Sequence, residues 1–489
     1  MTDLSAVALE ALHASGFVPD ETDAMRAQLA SLPGAPPTDA AVRDLRALPW
    51  SSIDNASSRD LDQIEVAEQL PGGAIRVRVG IADVDRLVPK GSPIDAHAMI
   101  NATSVYTGLA MYPMLPEALS TGLTSLNEGA ERVVLVVEFV VDAGGAMGSH
   151  DVYRARTVNR AKLAYESLGP WLEGCGPLPP AVESVEGLEA QLWLQDHAAS
   201  LLKGMRERAG ALEFATVEAK TTGTKGRVEA ITVTRKNRAR DLIEDFMIAA
   251  NVVIAQYLAE QGRSAIRRVV RVPRRWNRIV ALAAQYGTTL PAQADAKALS
   301  TFLGIRRAAD PLRFPDLSLS IVKLLGPGEY VLDLPGAADD EGHFGLAAHD
   351  YSHATAPNRR YADLVTQRLV KAAIAQAPAP YTNDELAAIA AHCTERENAA
   401  NRVERVARKA AAAILLSHRI GATFSAIVTG VNADGTYVRL LSPPAEGRVV
   451  RGEAGMDVGE RVRVTLLSTD PARGFIDFAG VGAEAGAAA

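Results

Sequence analysis

Cysteine is almost missing from this chain: Cys175 and Cys393 are the only two among 489 residues. Two thiols so far apart build neither a zinc knuckle nor a disulfide framework, so the reducing cytoplasm is the expected compartment. Long apolar runs are lacking as well. Crossing a bilayer takes about 18–20 consecutive apolar residues, and the best candidates, 133–141 and 246–259, are interrupted by Glu138, Asn251 and Gln256. No membrane partner is expected. The first residues include Asp3 and Glu10 and no basic leader, unlike a secretory signal. Positive charge is in deficit: the formal net charge of −7 favours solubility and, taken alone, argues against a polyanionic partner. Local charge decides that question better than the sum. With 48% hydrophobic and 22% charged residues the composition is ordinary for a globular protein and excludes a disordered or collagen-like chain. At roughly 100–200 residues per domain, the length predicts about two to four domains.

Residues 1–48 read as two or three short helices, with apolar spacing at Leu4, Val7, Ala8 and Leu12 and a break in the PGAPP run at 33–37. After Pro49 the period changes to two. Ile75, Val77, Val79 and Ile81 alternate with Arg76, Arg78 and Gly80, as in a half-buried strand, while RVVLVVEFVV at 132–141 is apolar on both faces and predicts a strand inside a covered sheet. CGPLPP at 175–180 predicts a surface loop. Helical periodicity marks 242–258 and 361–375, and Thr382 with Glu385 is a capping-box signature for a helix reaching about Leu416. Short alternating segments then return at FSAIVTGV, TYVRLL, RVRVTLL and GFIDF, with a turn signal at Asp434 and Gly435. These predict a small closed barrel. The tail GVGAEAGAAA is low-complexity.

Two segments carry the chemistry. In SIDNASSRDLDQIEV, Asp54, Asp60 and Asp62 place three carboxylates within nine residues. Like charges at that density need solvent, turn-capping roles or a shared cation, and hard Mg²⁺ takes one or two carboxylates plus water and phosphate oxygens. Solvated Asx-turns explain such a cluster equally simply. The glycine and closing glutamate of an EF-hand are missing. In HFGLAAHDYSHATAPNRRYADL, Tyr351, His353, Arg359 and Arg360 stand just before a predicted helix, where guanidinium forks could grip phosphate oxygens or simply pair with surface carboxylates. His349 and His353 have neither an HEXXH context nor a third ligand to indicate zinc.

Taken together, the residues resemble the ribonuclease II, or RNB-domain, family of exoribonucleases. SIDNASSRDLDQ resembles its acidic motif, IADVDRLVPKGSPID the strand and turn that follow, and SVYTGLAMYPMLPEALSTGLTSLN its long signature. LIEDFMIAAN and HFGLAAHDYSHATAPNRRYADL resemble its core helix and basic motif. The resemblance implies an α+β fold, with a mixed sheet surrounded by helices. It also implies a metal-dependent hydrolase that removes nucleotides from the 3′ end of single-stranded RNA as nucleoside 5′-monophosphates. Carried residue by residue, it makes Asp62 and Arg359 catalytic and gives Mg²⁺, with Mn²⁺ as a substitute, the ligands Asp54, Asp60, Asp62 and Gln63. Gln63 stands where relatives carry a fourth aspartate, a departure that leaves the number of ions open. Tyr106 falls where the family stacks an aromatic on the terminal nucleotide, and Glu404 in RVER near an RNA contact. Tyr351, His353, Arg359 and Arg360 match the basic motif, whereas Ala354, Ala356 and Asn358 replace its usual Phe, Ser and Ile.

Between Arg263 and Arg278 seven arginines and Trp276 occur with no acid. They read either as a groove that tracks an RNA backbone, with Trp276 as a stacking residue, or as a solvated basic face. The C-terminal segment resembles an OB-fold of the S1 type, with Tyr437 as base-stacking residue, Phe424 in its core, and Arg439, Arg448 and Arg451 toward RNA. The domains expected are a helix-turn-helix-like module at 1–48, the RNB catalytic domain at 49–420, the OB-fold barrel at 421–481 and a flexible tail at 482–489. The expected partner is single-stranded RNA, with no obligate protein partner and a monomeric state. Gln63 and the altered basic motif keep a second possibility open, a catalytically weak or silent RNA-binding regulator on the same fold. A DNA-binding repressor built on the front helices would leave most of the chain unexplained.

Overall fold

The structure, a computed structural model, describes residues 3–33, 41–215, 218–224, 226–336, 342–432 and 435–483. Most of the PGAPP break, Asp434 of the expected turn and residues 484–489 of the tail lie outside the described residues. The chain opens with helices α1 (Leu4–Ala14) and α2 (Asp23–Ser31), N-capped by Asp3 and Thr22. A seven-stranded mixed sheet follows. Its strands are β1 (Arg43–Asp44), β2 (Ser51–Asp54), β3 (Gln63–Gln69), β4 (Ile75–Ala82) and, after helix α3 (Pro93–Asn101) and the hairpin β5 (Val105–Tyr106) and β6 (Met111–Tyr112), β7 (Glu131–Val141), β8 (Met147–Val158) and β9 (Ala161–Ala164). The spatial order is β1-β8-β7-β4-β3-β2-β9. Strand β7 lies between β8 and β4 with Val133 to Val137 buried, which is why its sequence is apolar on both faces.

Helices α4 (Tyr165–Leu172), α5 (Pro180–Glu183), α6 (Leu188–Ala209) and, after the hairpin β10 (Glu218–Thr224) and β11 (Arg227–Thr234), α7 (Arg238–Glu260) surround this sheet. Helix α7 is long and apolar enough to cross a bilayer, but in the fold its Leu242, Phe246, Ala250, Val253 and Ile254 belong to the main core. A smaller helical layer holds its own core: β12 (Ala265–Val269), α8 (Trp276–Gln285), α9 (Ala296–Ala309), α10 (Phe314–Leu325) and β13 (Glu329–Asp333). Helix α11 (Tyr361–Ile374) and the 34-residue α12 (Asn383–Leu416) complete the body, and α12 begins at the expected capping box of Thr382 and Glu385. Strands β14 (Thr423–Asn432), β15 (Gly435–Leu440), β16 (Glu446–Arg451), β17 (Arg461–Asp470) and β18 (Phe475–Ala483) close a five-stranded barrel in the order β14-β15-β16-β18-β17. Phe424 is buried in its core, as expected.

The front segment has no core of its own. Leu4 and Ala8 of α1 join the alanine face of α12 and the barrel interior, Leu12 packs with Val105 and Val403, and Met25 of α2 enters the main core beside the sheet. The two helices therefore act as separate braces across the molecule rather than as a helix-turn-helix pair.

The basic stretch at 263–278 is also not an open groove. Arg263 donates to the Ala377 carbonyl, Arg267 pairs with Asp333, Arg268 holds Glu397 with both terminal nitrogens, and Arg271 pairs with Glu329. Strand pairing of β12 with β13 brings these acids opposite the arginines, a juxtaposition invisible in the local sequence. Trp276 is 6% exposed, its indole N–H donates to the Pro291 carbonyl, and its ring lies edge-on to Phe344. It anchors the small helical core and cannot stack on a ligand.

Candidate active site

Strand β2 ends at Asp54 and β3 begins at Gln63, so the acidic loop between them crosses the end of two neighbouring strands. Side chains from three other segments hold it. The Ser125 hydroxyl accepts from Leu61 N–H and donates to the Arg59 carbonyl, Lys162 donates to the Ser58 carbonyl, and Arg240 of α7 donates to the Asn55 side-chain oxygen at 2.8 Å while its guanidinium lies over the Tyr165 ring.

Asp62 is the deepest of the loop acids, 2% exposed. One carboxylate oxygen accepts the Asn358 backbone N–H at 3.0 Å and the other accepts Arg359 Nε–H at 3.2 Å. Burial pushes its pKa up to about 7, against the pull of Arg359. Asp54 is also raised by burial, opposed by the Asn55 N–H and by Arg359, and Asp60 adds a like charge to both. Arg359 keeps 45% of its side chain exposed although the charges of Asp62, Asp54 and Tyr106 all act on it. The Tyr106 phenol is pushed up to about 12, first by burial, yet Tyr106 is 42% exposed. A side chain that is desolvated and still reachable lies in a recess, so Arg359 and Tyr106 line an open cleft above Asp62.

The sequence-predicted residues thus divide. Asp54, Asp60, Asp62, Gln63, Tyr106 and Arg359 come together at the end of the central strands. Glu404 on α12 joins them by accepting the Tyr106 backbone N–H at 3.0 Å, so it positions the aromatic residue through its main chain. Arg360 does not present an open fork: Nε and Nη2 both donate to Asp363, whose carboxylate also accepts the Ala356 N–H, a clamp on the loop that carries Arg359. Tyr351, expected to touch RNA, is buried, bonded to Asn251 and edge-on to His343 and His353. His353 is half-buried with Nδ1 on the Tyr330 hydroxyl, and burial with the charges of Arg360 and Arg268 holds it neutral. The aromatic pair supports the basic loop from below. Tyr437 stands half-buried on β15 opposite Arg448, on the barrel. Arg439 is turned inward to pair with Asp316 of α10, while Arg448 and Arg451 are exposed.

A divalent ion suits this donor set. Asp54, Asp60 and Asp62 are hard oxygen donors whose like charges act on one another, and Arg359 is the cation set against them. Among the described residues no three acids or imidazoles are gathered closely enough to form a closed cage. An open arrangement of one or two carboxylates with water is the manner in which Mg²⁺ is ordinarily held.

Three features escaped the reading of the sequence. Arg240 was hidden within an apolar helix, and Glu65 within an alternating strand. Arg402, Arg405, Arg408 and Lys409 form an exposed basic stripe on α12 beyond Glu404, and their three- and four-residue spacing on a predicted helix was the available signal.

Residues 42–376 match the RNB domain family, and residues 422–481 match the RNase II-type exonuclease C-terminal S1 domain. Ribonuclease R of Escherichia coli strain K12 is 30% identical over 415 residues, covering 81% of this chain and 49% of that protein. Exoribonuclease 2 of Cronobacter sakazakii is 31% identical over 405 residues, with 81% and 61% covered. The chain spans about half the length of the curated ribonuclease R relatives it matches. Among solved structures, Mycoplasma genitalium RNase R in complex with ribose-methylated single-stranded RNA superposes with a TM-score of 0.87 at 22% identity, covering 98% of this chain and 78% of that one. Yeast Ssd1, described as a pseudonuclease, superposes with a TM-score of 0.72 at 17% identity, covering 91% and 55%.

Proposed function

This chain belongs to the RNB-domain family, and from that premise we propose that it is a divalent-cation-dependent 3′-to-5′ exoribonuclease. Its substrate is single-stranded RNA and its products are nucleoside 5′-monophosphates. The observation that carries the reading is the buried Asp62 bonded to Arg359 beneath an accessible Tyr106.

The roles follow from the geometry. Tyr106 offers a π-face in the cleft, and stacking on any base contributes about 1–3 kcal/mol without reading sequence. The bond from its N–H to Glu404 fixes that face relative to α12. Arg359, always charged and partly exposed, stabilises the negative charge that builds on the phosphoryl oxygens during attack. Its Nε is already held by Asp62, so the guanidinium is oriented before substrate arrives. Asp363 fixes the loop on which it rides. Asp54, Asp60 and Asp62, with the Gln63 amide oxygen, would hold Mg²⁺, or Mn²⁺ in its place, which when bound supplies water activation and charge neutralisation at the phosphate. The exposed arginines of α12 and barrel residues Tyr437, Arg448 and Arg451 offer charge and a stacking face to the RNA behind the site. Two free thiols, Cys175 exposed and Cys393 buried, support residence in a reducing cytoplasm.

The second reading, an RNA-binding protein with little or no turnover, is favoured by Gln63 in place of an aspartate and by the likeness of fold to a pseudonuclease. RNA labelled at the 3′ or the 5′ end, incubated with Mg²⁺ or with EDTA, separates the two. Immediate release of labelled mononucleotide from the 3′ label alone, abolished by EDTA, supports the exonuclease. Intact RNA that shifts on a gel supports the silent binder.

A further inference from the structure

Glu65 is 0% exposed in β3, among the costliest places to leave a carboxylate. Neither of its oxygens has a hydrogen-bond partner among the described residues, and the hydroxyl of Ser51, its cross-strand partner on β2, is equally buried and equally unpartnered. Three such oxygens on one facing pair break the rule that buried polar atoms are bonded, to protein or to something held by it. Gln63 lies two residues nearer the acidic loop on the same strand, and alternation puts it on the same face as Glu65. Both ends of this stretch therefore bear on one decision: relatives carry a carboxylate at position 63, and this chain carries one at 65. The electrostatic neighbour of Glu65 is Asp54, and the Tyr165 phenol feels both carboxylates. Asp54 and Glu65 accordingly border one polar recess beside Tyr165, directly behind the acidic loop.

We infer that Glu65 supplies the charge that Gln63 does not: it faces the divalent cation of the acidic loop from within the sheet, through buried water shared with the Ser51 hydroxyl. The inference rests on the cation reading proposed above. It restores the acid count at the site to four, Asp54, Asp60, Asp62 and Glu65, and it gives each orphan oxygen a donor. Water is the required link, because no three acids stand close enough to ligate one ion directly. A cation's bound water is polarised toward donation and is a strong partner for an outer carboxylate, and such outer partners typically set metal affinity by about 10–100-fold. A water-filled polar recess is also the ordinary fate of buried groups that lack a protein partner.

The test is Mn²⁺ binding by the full chain without RNA, measured by electron paramagnetic resonance and by calorimetry. It compares the unaltered protein with Glu65→Gln, Gln63→Asp and the double variant, and circular dichroism melts check folding. Glu65→Gln should weaken Mn²⁺ binding about tenfold, the low end of the outer-partner range, and Gln63→Asp should restore it in the double variant. Unchanged Mn²⁺ affinity in Glu65→Gln, with a higher melting temperature, would mark a neutral buried acid with no link to the cation and overturn the inference. If Glu65→Gln does not fold, Gln63→Asp with and without Glu65→Gln decides: equal affinities support the inference, and a tenfold loss in the double variant overturns it. Failure of the unaltered protein to bind Mn²⁺ would instead remove the cation reading itself.

Discussion

Replacing Asp363 by Asn tests the idea that the basic loop is held in place from beneath. The Asp363 carboxylate is fully buried at the start of α11 and accepts three bonds: Ala356 N–H at 2.8 Å, Arg360 Nε–H at 2.8 Å and Arg360 Nη2–H at 2.6 Å. The amide oxygen of Asn can keep the Ala356 bond, but its NH₂ group then meets the Arg360 fork, donor against donor. Breaking one side of a buried pair costs about 3–5 kcal/mol. Arg360 retains 26% of its side-chain surface, so water recovers part of this, and about 2–3 kcal/mol is the expected loss. At about 1.4 kcal/mol per factor of ten, the clamped loop becomes roughly 30–150-fold less favoured over its open forms. Urea unfolding followed by circular dichroism should report the destabilisation, and initial rates on a 3′-labelled oligonucleotide a fall in kcat larger than any rise in KM, because Arg359 shares the loop. Asp363→Asn with unchanged stability and unchanged kcat would refute the reasoning, since the three bonds would then contribute nothing to holding Arg359.

Asp62→Asn should abolish turnover while gel-shift affinity for single-stranded RNA stays within a few-fold, and parallel loss of both would refute its assigned role. Tyr106→Ala should weaken the binding of short RNA by about 1–3 kcal/mol, the value of one stacked base, whereas Tyr106→Phe should bind nearly as well; fluorescence anisotropy with a tetranucleotide reads the difference. Trp276→Ala should destabilise the protein by about 3–5 kcal/mol through a cavity in the small helical core, with RNA affinity of the folded fraction unchanged; selective loss of RNA binding at full stability would return Trp276 to the RNA surface. Burial and neighbouring arginines lower His343 to about 4 and hold His353 well below its ordinary value, so below pH of about 6.5 the unfolded chain takes up protons that the folded chain refuses. Stability should therefore fall as pH drops from about 6.5 toward 4, and His353→Gln should flatten that slope in urea titrations; an unaltered slope counts against a neutral His353.

Much of this fold was legible because its signals are local. Period-two alternation at 75–81, a doubly apolar run at 132–141, the capping box at Thr382 and the turn-separated strands after 421 each depend on residues adjacent in the chain. The acidic loop was legible for the same reason, since three aspartates within nine residues need no folding to be noticed. The basic motif was only partly so. Its residue types are plain in the sequence, but whether a guanidinium points at substrate or at a carboxylate is settled by what the fold brings opposite it.

That is where sequence and structure part. Composition, periodicity and motif order by themselves determined an α+β body, a terminal barrel, the loop of aspartates and the position of Arg359. Only tertiary structure decided that Arg267, Arg268 and Arg271 are neutralised by acids 58 to 129 positions away, that Trp276 and Tyr351 are buried, that the front helices brace two different cores, and that Glu65 is stranded beside Asp54. The physical reason is that charge pairing and burial are set by distance in space, and an antiparallel strand or a long helix brings together residues whose separation along the chain carries no trace of it.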